Sequence, residues 1–207
     1  MDMDIAMSPS QRFRQAHSGG FSLVEVLVSV VILTIGLLGM VGMQAAALQA
    51  NREARLQSTA VGLARELADM MRGNKETGLK TDEADNPYLG DFELPELALA
   101  APEYCLSVGS TCGADGKKVA SAQMTEWLPR VSDLLPGARV TVCLDTTPFD
   151  DDGLPNKWSA GCTGGADAMT VVKIGWTRRS TEPGKLDRAD EDARPGVVIP
   201  VTAGFEE

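Results

Sequence analysis

The chain of 207 residues has a single histidine, His17, in a polar N-terminal stretch that reads as a leader to be removed. Without it, the remaining chain has no Ser-His-Asp or Cys-His arrangement and no His-bearing zinc site. Carboxylate chemistry is the catalytic option left, and no residue pattern marks a cleft for it, so no enzymatic activity and no cofactor are expected. Aromatic residues are only 5% of the chain, against 21 glycines and 11 prolines. That balance predicts long turns in place of a large dense core. Basic residues are also short, with 19 Lys and Arg against 29 Asp and Glu, a net charge of −10. They are scattered, so no basic stripe faces a phosphate backbone and nucleic acid binding is not expected. The acidity suits an exported domain that must stay soluble.

Closely spaced cysteine pairs are missing too. Cys105, Cys112, Cys143 and Cys162 are too far apart for the C-x-x-C geometry of zinc ribbons and redox dithiols. Downstream of an export signal they read as two disulfides formed in an oxidising compartment. Three connectivities satisfy four cysteines, and closure of local Gly-rich loops favours Cys105–Cys112 with Cys143–Cys162. Asp150-Asp151-Asp152-Gly153, with Asp145 nearby, carries oxygens enough for calcium. It lacks the alternating Asp spacing and terminal Glu of an EF-hand loop, and is read as a solvated acidic loop. No metal site is assigned.

What the chain does have is a long apolar run, FSLVEVLVSVVILTIGLLGMVGM, at residues 21–43. Within it, Val26 to Met43 is 18 residues without a charge, near the minimum for crossing a bilayer. Arg12 and Arg14 precede the run and no basic residue follows until Arg52, so the N-terminus is expected to stay cytoplasmic. Glu25 is the odd residue. A carboxylate placed deep in a membrane helix costs about 2.5–3.5 kcal/mol and needs a partner. Cleavage between Gly20 and Phe21 would create one, the new α-ammonium of Phe21, one helical turn away or on a neighbouring subunit.

The helical pattern continues beyond the apolar run. Leu48, Leu56, Ala60, Leu63, Leu67 and Met71 recur at helical spacing, with Arg52, Glu53, Arg55, Arg65, Glu66 and Asp69 on the other sides. Gly73-Asn74 reads as the C-cap. Phe21 to Arg72 is thus one helix of roughly 78 Å at 1.5 Å per residue. Gly36, Gly39 and Gly42 suit close helix packing in lipid, or a stretch that loosens on leaving it.

At these residues a resemblance becomes specific. GG-FSLVEVL resembles the class III signal of type IV prepilins: a polar leader ending in Gly, then Phe, then Glu at the fifth mature position. The continuation TIGLLGMVGMQAAALQANREARLQSTAVGLARELADMMRGN is similar to the PilV group of minor pilins. The resemblance covers residues 19–74, and more weakly C-L-D-T-T-P at 143–148. It implies cleavage after Gly20 by a prepilin peptidase, N-methylation of Phe21, and a requirement for Glu25 in assembly. It further implies an inner-membrane precursor with its head in the periplasm, then a place in a surface fibre. The implied partners are major and other minor pilins, an inner-membrane assembly platform and an adhesin-like tip component. Type II secretion pseudopilins share the signal, and a competence pilus subunit is a further alternative. An ordinary signal peptide cleaved after Ala47 or Ala50 competes, but it leaves Glu25 and the Gly-Gly unexplained.

The expected division is a leader at 1–20, an apolar assembly half at 21–43, an amphipathic half at 44–74 and a periplasmic head at 75–207. Residues 75–103 read as a long surface loop and Tyr104 to Val108 as a short strand. Val119 to Leu135 reads as a helix that Pro129 interrupts or splits. Arg139–Leu144, Met169–Trp176 and Val197–Val201 read as strands, the last at an edge because of Pro200. The fold class expected is α+β, a long N-terminal helix packed on an antiparallel sheet. Trp127 and Trp176 sit in core-like patterns, whereas Trp158, in a polar loop, is the candidate for a recognition surface.

Overall fold

The computed structural model describes residues 20–93, 97–179 and 186–201. The architecture is α+β and pilin-like: a long N-terminal helix and an antiparallel four-stranded sheet. Helix α1 spans Leu23–Gly73. It starts two residues later than the apolar run because the Ser22 carbonyl accepts the first helical N–H groups, from Glu25 at 3.0 Å and Val26 at 3.2 Å. The chain divides into two compact units between Leu48 and Gln49.

In the first unit every described residue is exposed. Two polar side chains in the apolar stretch bond back to their own helix. Ser29 Oγ donates to the Glu25 carbonyl at 2.6 Å and Thr34 Oγ1 to the Val31 carbonyl at 2.8 Å. Neither hydroxyl therefore presents an unmet donor to an apolar solvent.

The second unit is built around the amphipathic half of α1. Ala60, Leu63, Ala64, Leu67, Ala68 and Met71 are its buried stripe. Leu48, expected at the start of that stripe, is 70% exposed, because the core begins only at Ala60. Against the stripe packs α3, Gly116–Leu134, through Met124, Trp127, Leu128 and Val131. The Trp127 indole is fully buried, and its Nε1 donates to the Leu63 carbonyl at 3.3 Å. A buried indole N–H needs such an acceptor.

Helix α3 begins three residues before the expected Val119. Asp115 is its N-cap, accepting from the N–H groups of Lys117 at 3.0 Å and Lys118 at 3.2 Å. Pro129 neither splits nor ends it. An interior proline costs about 3 kcal/mol, and burial of Trp127, Leu128 and Val131 on either side holds the helix together across it.

The sheet runs β1 (Gly90–Phe92), β2 (Arg139–Asp145), β3 (Met169–Gly175), β6 (Val197–Pro200), all neighbours antiparallel. The inner-facing Val140 and Val142 of β2 and Val172 and Ile174 of β3 join the helices in one core. Arg139, Thr141, Cys143 and Asp145 alternate onto the other face. A separate pair, β4 (Arg178–Arg179) and β5 (Leu186–Asp187), forms a short ribbon. Pro200 lies on the outer strand. The Val201 N–H bonds the Thr170 carbonyl at 2.7 Å, so alternation turns the Pro200 nitrogen away from β3. The turn before β2 needs Gly137, whose φ is +62° and whose missing side chain leaves room for Thr177. The Thr177 N–H closes that turn onto the Pro136 carbonyl at 2.8 Å.

Two segments differ from the sequence reading. Residues 75–103 are more than a surface loop: they hold the short helix α2 (Lys75–Gly78), strand β1, and buried Tyr88, Leu89, Phe92 and Leu97. These apolar residues follow no period, and their anchor is a polar one. Buried Asn86 donates through Nδ2 to the Lys80 carbonyl at 2.8 Å, and its Oδ1 accepts from the Tyr88 N–H at 3.1 Å. Tyr104 to Val108 is not a strand. Ser107 N–H bonds the Tyr104 carbonyl at 3.1 Å and Ser110 N–H the Ser107 carbonyl at 3.0 Å, successive turns that lead into and through the ring that Cys105–Cys112 closes.

Candidate functional site

Residues Gly20, Phe21 and Ser22 precede the helix and are exposed, with Phe21 at 84%. Glu25 lies in the first turn of α1, also exposed. Its negative charge complements the positive dipole end of the helix there. From Val24 to Met43 the helix then exposes valines, leucines, isoleucines and methionines on all sides. It is long and apolar enough to cross a membrane. A continuous apolar surface of this kind marks contact with lipid or with another protein.

The second unit carries a different constellation on the outer face of the sheet. Cys105 pairs with Cys112, and Cys143 with Cys162. The second bridge ties β2 to the loop before β3, and an ion pair sits beside it. Lys173 Nζ is 2.6 Å from Asp145 Oδ2 and donates to the Gly161 carbonyl at 3.0 Å. Burial works to raise the Asp145 carboxyl, but Lys173, the Thr163 hydroxyl at 2.7 Å and the Thr147 N–H at 3.0 Å outweigh it. The group is held below the usual carboxylate range.

Trp158 is not a recognition surface. It is 7% exposed, and the Arg139 guanidinium stacks on its ring at 4.9 Å. The indole lies over Gly175, where Cζ2 would be 2.9 Å from any added Cβ. Arg139 in turn pairs with Asp91 at 2.8 Å and Glu93 at 3.3 Å. Arg139, Trp158, Lys173 and the Cys143–Cys162 bridge line an open cleft of about 210 Å³.

The acidic loop is a braced turn. Asp150 accepts from the N–H groups of Leu154 at 2.9 Å and Asp152 at 3.1 Å, and pairs with Arg194 at 2.6 Å. These bonds, with the Leu154 N–H first, draw its carboxyl below the usual range. Asp145 and Asp150 thus answer to separate cations, and no cluster of metal-ligating side chains occurs among the described residues. Arg139 and Lys173 were not singled out from the sequence. Their signal was period-two alternation, which puts both on the polar face of strands recognised for their apolar one.

Residues 15–41 match the family model described as the prokaryotic N-terminal methylation motif. The match spans the Gly20–Phe21 junction and most of the apolar run. It supports a type IV pilin-like or pseudopilin subunit, and with it a structural role and association with pilus assembly machinery. The motif and the long apolar helix together fit membrane anchoring. No curated protein and no solved structure matches the chain.

Proposed function

We propose that the chain is a minor pilin of the PilV type, made as a membrane precursor and assembled into a type IV pilus. Prepilin peptidase cleaves between Gly20 and Phe21 and methylates the new amine. The 1–20 leader is lost, the 21–43 segment holds the precursor in the inner membrane, and the head from residue 75 stands in the periplasm on the amphipathic segment 44–74. On the assembly platform the apolar segment leaves lipid for a bundle of pilin helices, where Glu25 neutralises an N-terminal ammonium. Lipid already satisfies the apolar surface, so close packing and this charge pairing direct docking. In the fibre the subunit primes assembly with other minor pilins and an adhesin-like tip component, and so supports adhesion and twitching motility.

The observation that carries this reading is the exposed apolar helix that follows, from Leu23, a junction matching the prokaryotic N-terminal methylation motif. N-terminal sequencing and intact mass of the mature protein test it. A start at methylated Phe21 supports the proposal, and a start at Leu48 or Asn51 overturns it. Loss of surface pili on deletion supports a pilus subunit, whereas intact pili with lost secretion identifies a type II pseudopilin.

A further inference from the structure

The Cys143–Cys162 bridge and the buried Lys173–Asp145 pair share one segment of chain. Immediately before Cys162, the Gly161 carbonyl accepts from Lys173 Nζ at 3.0 Å. Immediately after it, the Thr163 hydroxyl donates to Asp145 Oδ1 at 2.7 Å. The next residue fastens the segment to β2, with the Gly164 N–H donating to the Leu144 carbonyl at 3.1 Å. Gly161 and Thr163 are exposed, whereas the two charged side chains they bond are almost fully buried. Residues 161–164 are therefore a layer between the pair and water.

A buried ion pair is tolerated only where further hydrogen bonds satisfy both charges. Each partner takes one of those bonds from a neighbour of Cys162, so the bridge holds both in place. Without its covalent tie to β2 the segment competes with water for the same two charges, and hydration of a charge is strongly favourable. The pair in turn anchors Gly161 and Thr163, and with them keeps the two sulfurs together. Coupling between two equilibria acts equally in both directions. The bridge is also within reach of a reductant, because Cys143 and Cys162 are each partly exposed and line the open cleft.

We propose that Cys143–Cys162 is a redox latch. Oxidised, it seals the Lys173–Asp145 pair under residues 161–164; reduced, it lets that segment lift and water reach the pair. The reductant is a dithiol. One of its thiolates attacks a bridge sulfur, the S–S bond breaks to a mixed disulfide, and the second thiol displaces that sulfur. Cys143 and Cys162 become thiols, gaining two electrons and two protons, and the dithiol leaves as its own disulfide. The latch is independent of processing at Phe21, so a failure of one proposal leaves the other standing.

The test equilibrates the full mature chain, in detergent micelles, with dithiothreitol redox buffers. Acid quenching, alkylation and mass spectrometry then read the two bridges separately. Thr163→Val removes the hydroxyl over Asp145, and Lys173→Met/Asp145→Leu removes the pair itself. Each should make Cys143–Cys162 about tenfold easier to reduce, a size typical of coupled sites. Cys105–Cys112 should not move and serves as the internal control. In the wild-type chain, reduction should speed hydrogen exchange at the Gly164 N–H about tenfold or more, while Val172 and Ile174 in the sheet stay protected. That second measurement stands even if a variant fails to fold. If both variants reduce like wild type, or Gly164 stays protected after reduction, the segment is held without the bridge and the proposal is wrong. Loss of protection across the whole sheet overturns it as well, because the bridge is then a general staple and not a latch.

Discussion

Lys173 Nζ lies 2.6 Å from Asp145 Oδ2 with only 4% and 1% of the two side chains exposed. The register pairs Lys173 with Thr141, four positions back along β2 from Asp145, so the lysine stem runs along the sheet to reach the carboxylate. A pair this enclosed is costly to break, because each partner left alone is an uncompensated charge. Lys173→Met should lower stability by about 3–5 kcal/mol. A matched Lys173→Met/Asp145→Leu double substitution should recover much of the loss. Thermal unfolding of the micellar protein by circular dichroism reads both, and equal destabilisation in the single and double variants would refute the assignment.

Acid should act on the same residue. The Asp145 carboxyl is depressed in the folded protein relative to its ordinary value of 3.8. A depressed acid contributes stability above its unfolded pKa, and the contribution fades as pH falls through the folded one. Stability should therefore drop as pH is lowered from about 4, and Asp145→Asn should flatten that part of the profile. An unchanged slope in the variant would show that other carboxylates, Asp150 among them, dominate.

Tyr88 makes the opposite prediction at alkaline pH. Its hydroxyl bonds Gln123 and lies 3.3 Å from Asn74 Nδ2, while burial pushes the phenol above 10.0. A raised pKa gives stability that is whole below the unfolded value and lost as pH climbs through the folded one. Phenolate absorbance should appear late for one of the two tyrosines and coincide with unfolding. Tyr88→Phe should cost about 1–3 kcal/mol by stranding Asn74 and Gln123.

The two disulfides should differ in weight. Cys143–Cys162 closes a separation of 19 residues and Cys105–Cys112 one of 7. Loop-closure entropy makes the longer bridge worth about 3 kcal/mol and the shorter one somewhat less. Cys143→Ala/Cys162→Ala should lower the unfolding temperature more than the Cys105→Ala/Cys112→Ala pair does. The reverse order would place the local stabilisation in the Tyr104–Val108 turns instead.

Glu25→Ala should leave processing at Gly20–Phe21 intact and reduce incorporation into fibres. Immunoblots of sheared pili against whole cells give the ratio. Equal ratios in wild type and variant would remove charge pairing from the assembly mechanism.

The long helix was legible because two signals agreed: an uncharged run, then a stripe of period 3.6 ending at Gly73-Asn74. Strand β2 was legible from alternation and β3 from its β-branched residues, and Pro200 pointed to an edge. Legibility failed wherever polar side chains decide the structure. Asn86 pins a segment with no apolar period, Asp115 starts α3 ahead of its first apolar residue, and Pro129 is overridden by its buried neighbours. Trp158 was misread for the same reason. Its sequence neighbours are polar, but the residue that covers it, Arg139, is nineteen positions away on another element.

Pro200 has a bearing on life before assembly. On the proposed function, precursors waiting side by side in one bilayer would hold their sheets at high local concentration, where bare sheet rims readily zip together. On the outermost described strand the proline removes one of the few outward amides available for that. Clumping by stray strand addition would be discouraged there, which would leave the apolar helix as the contact the proposed assembly uses.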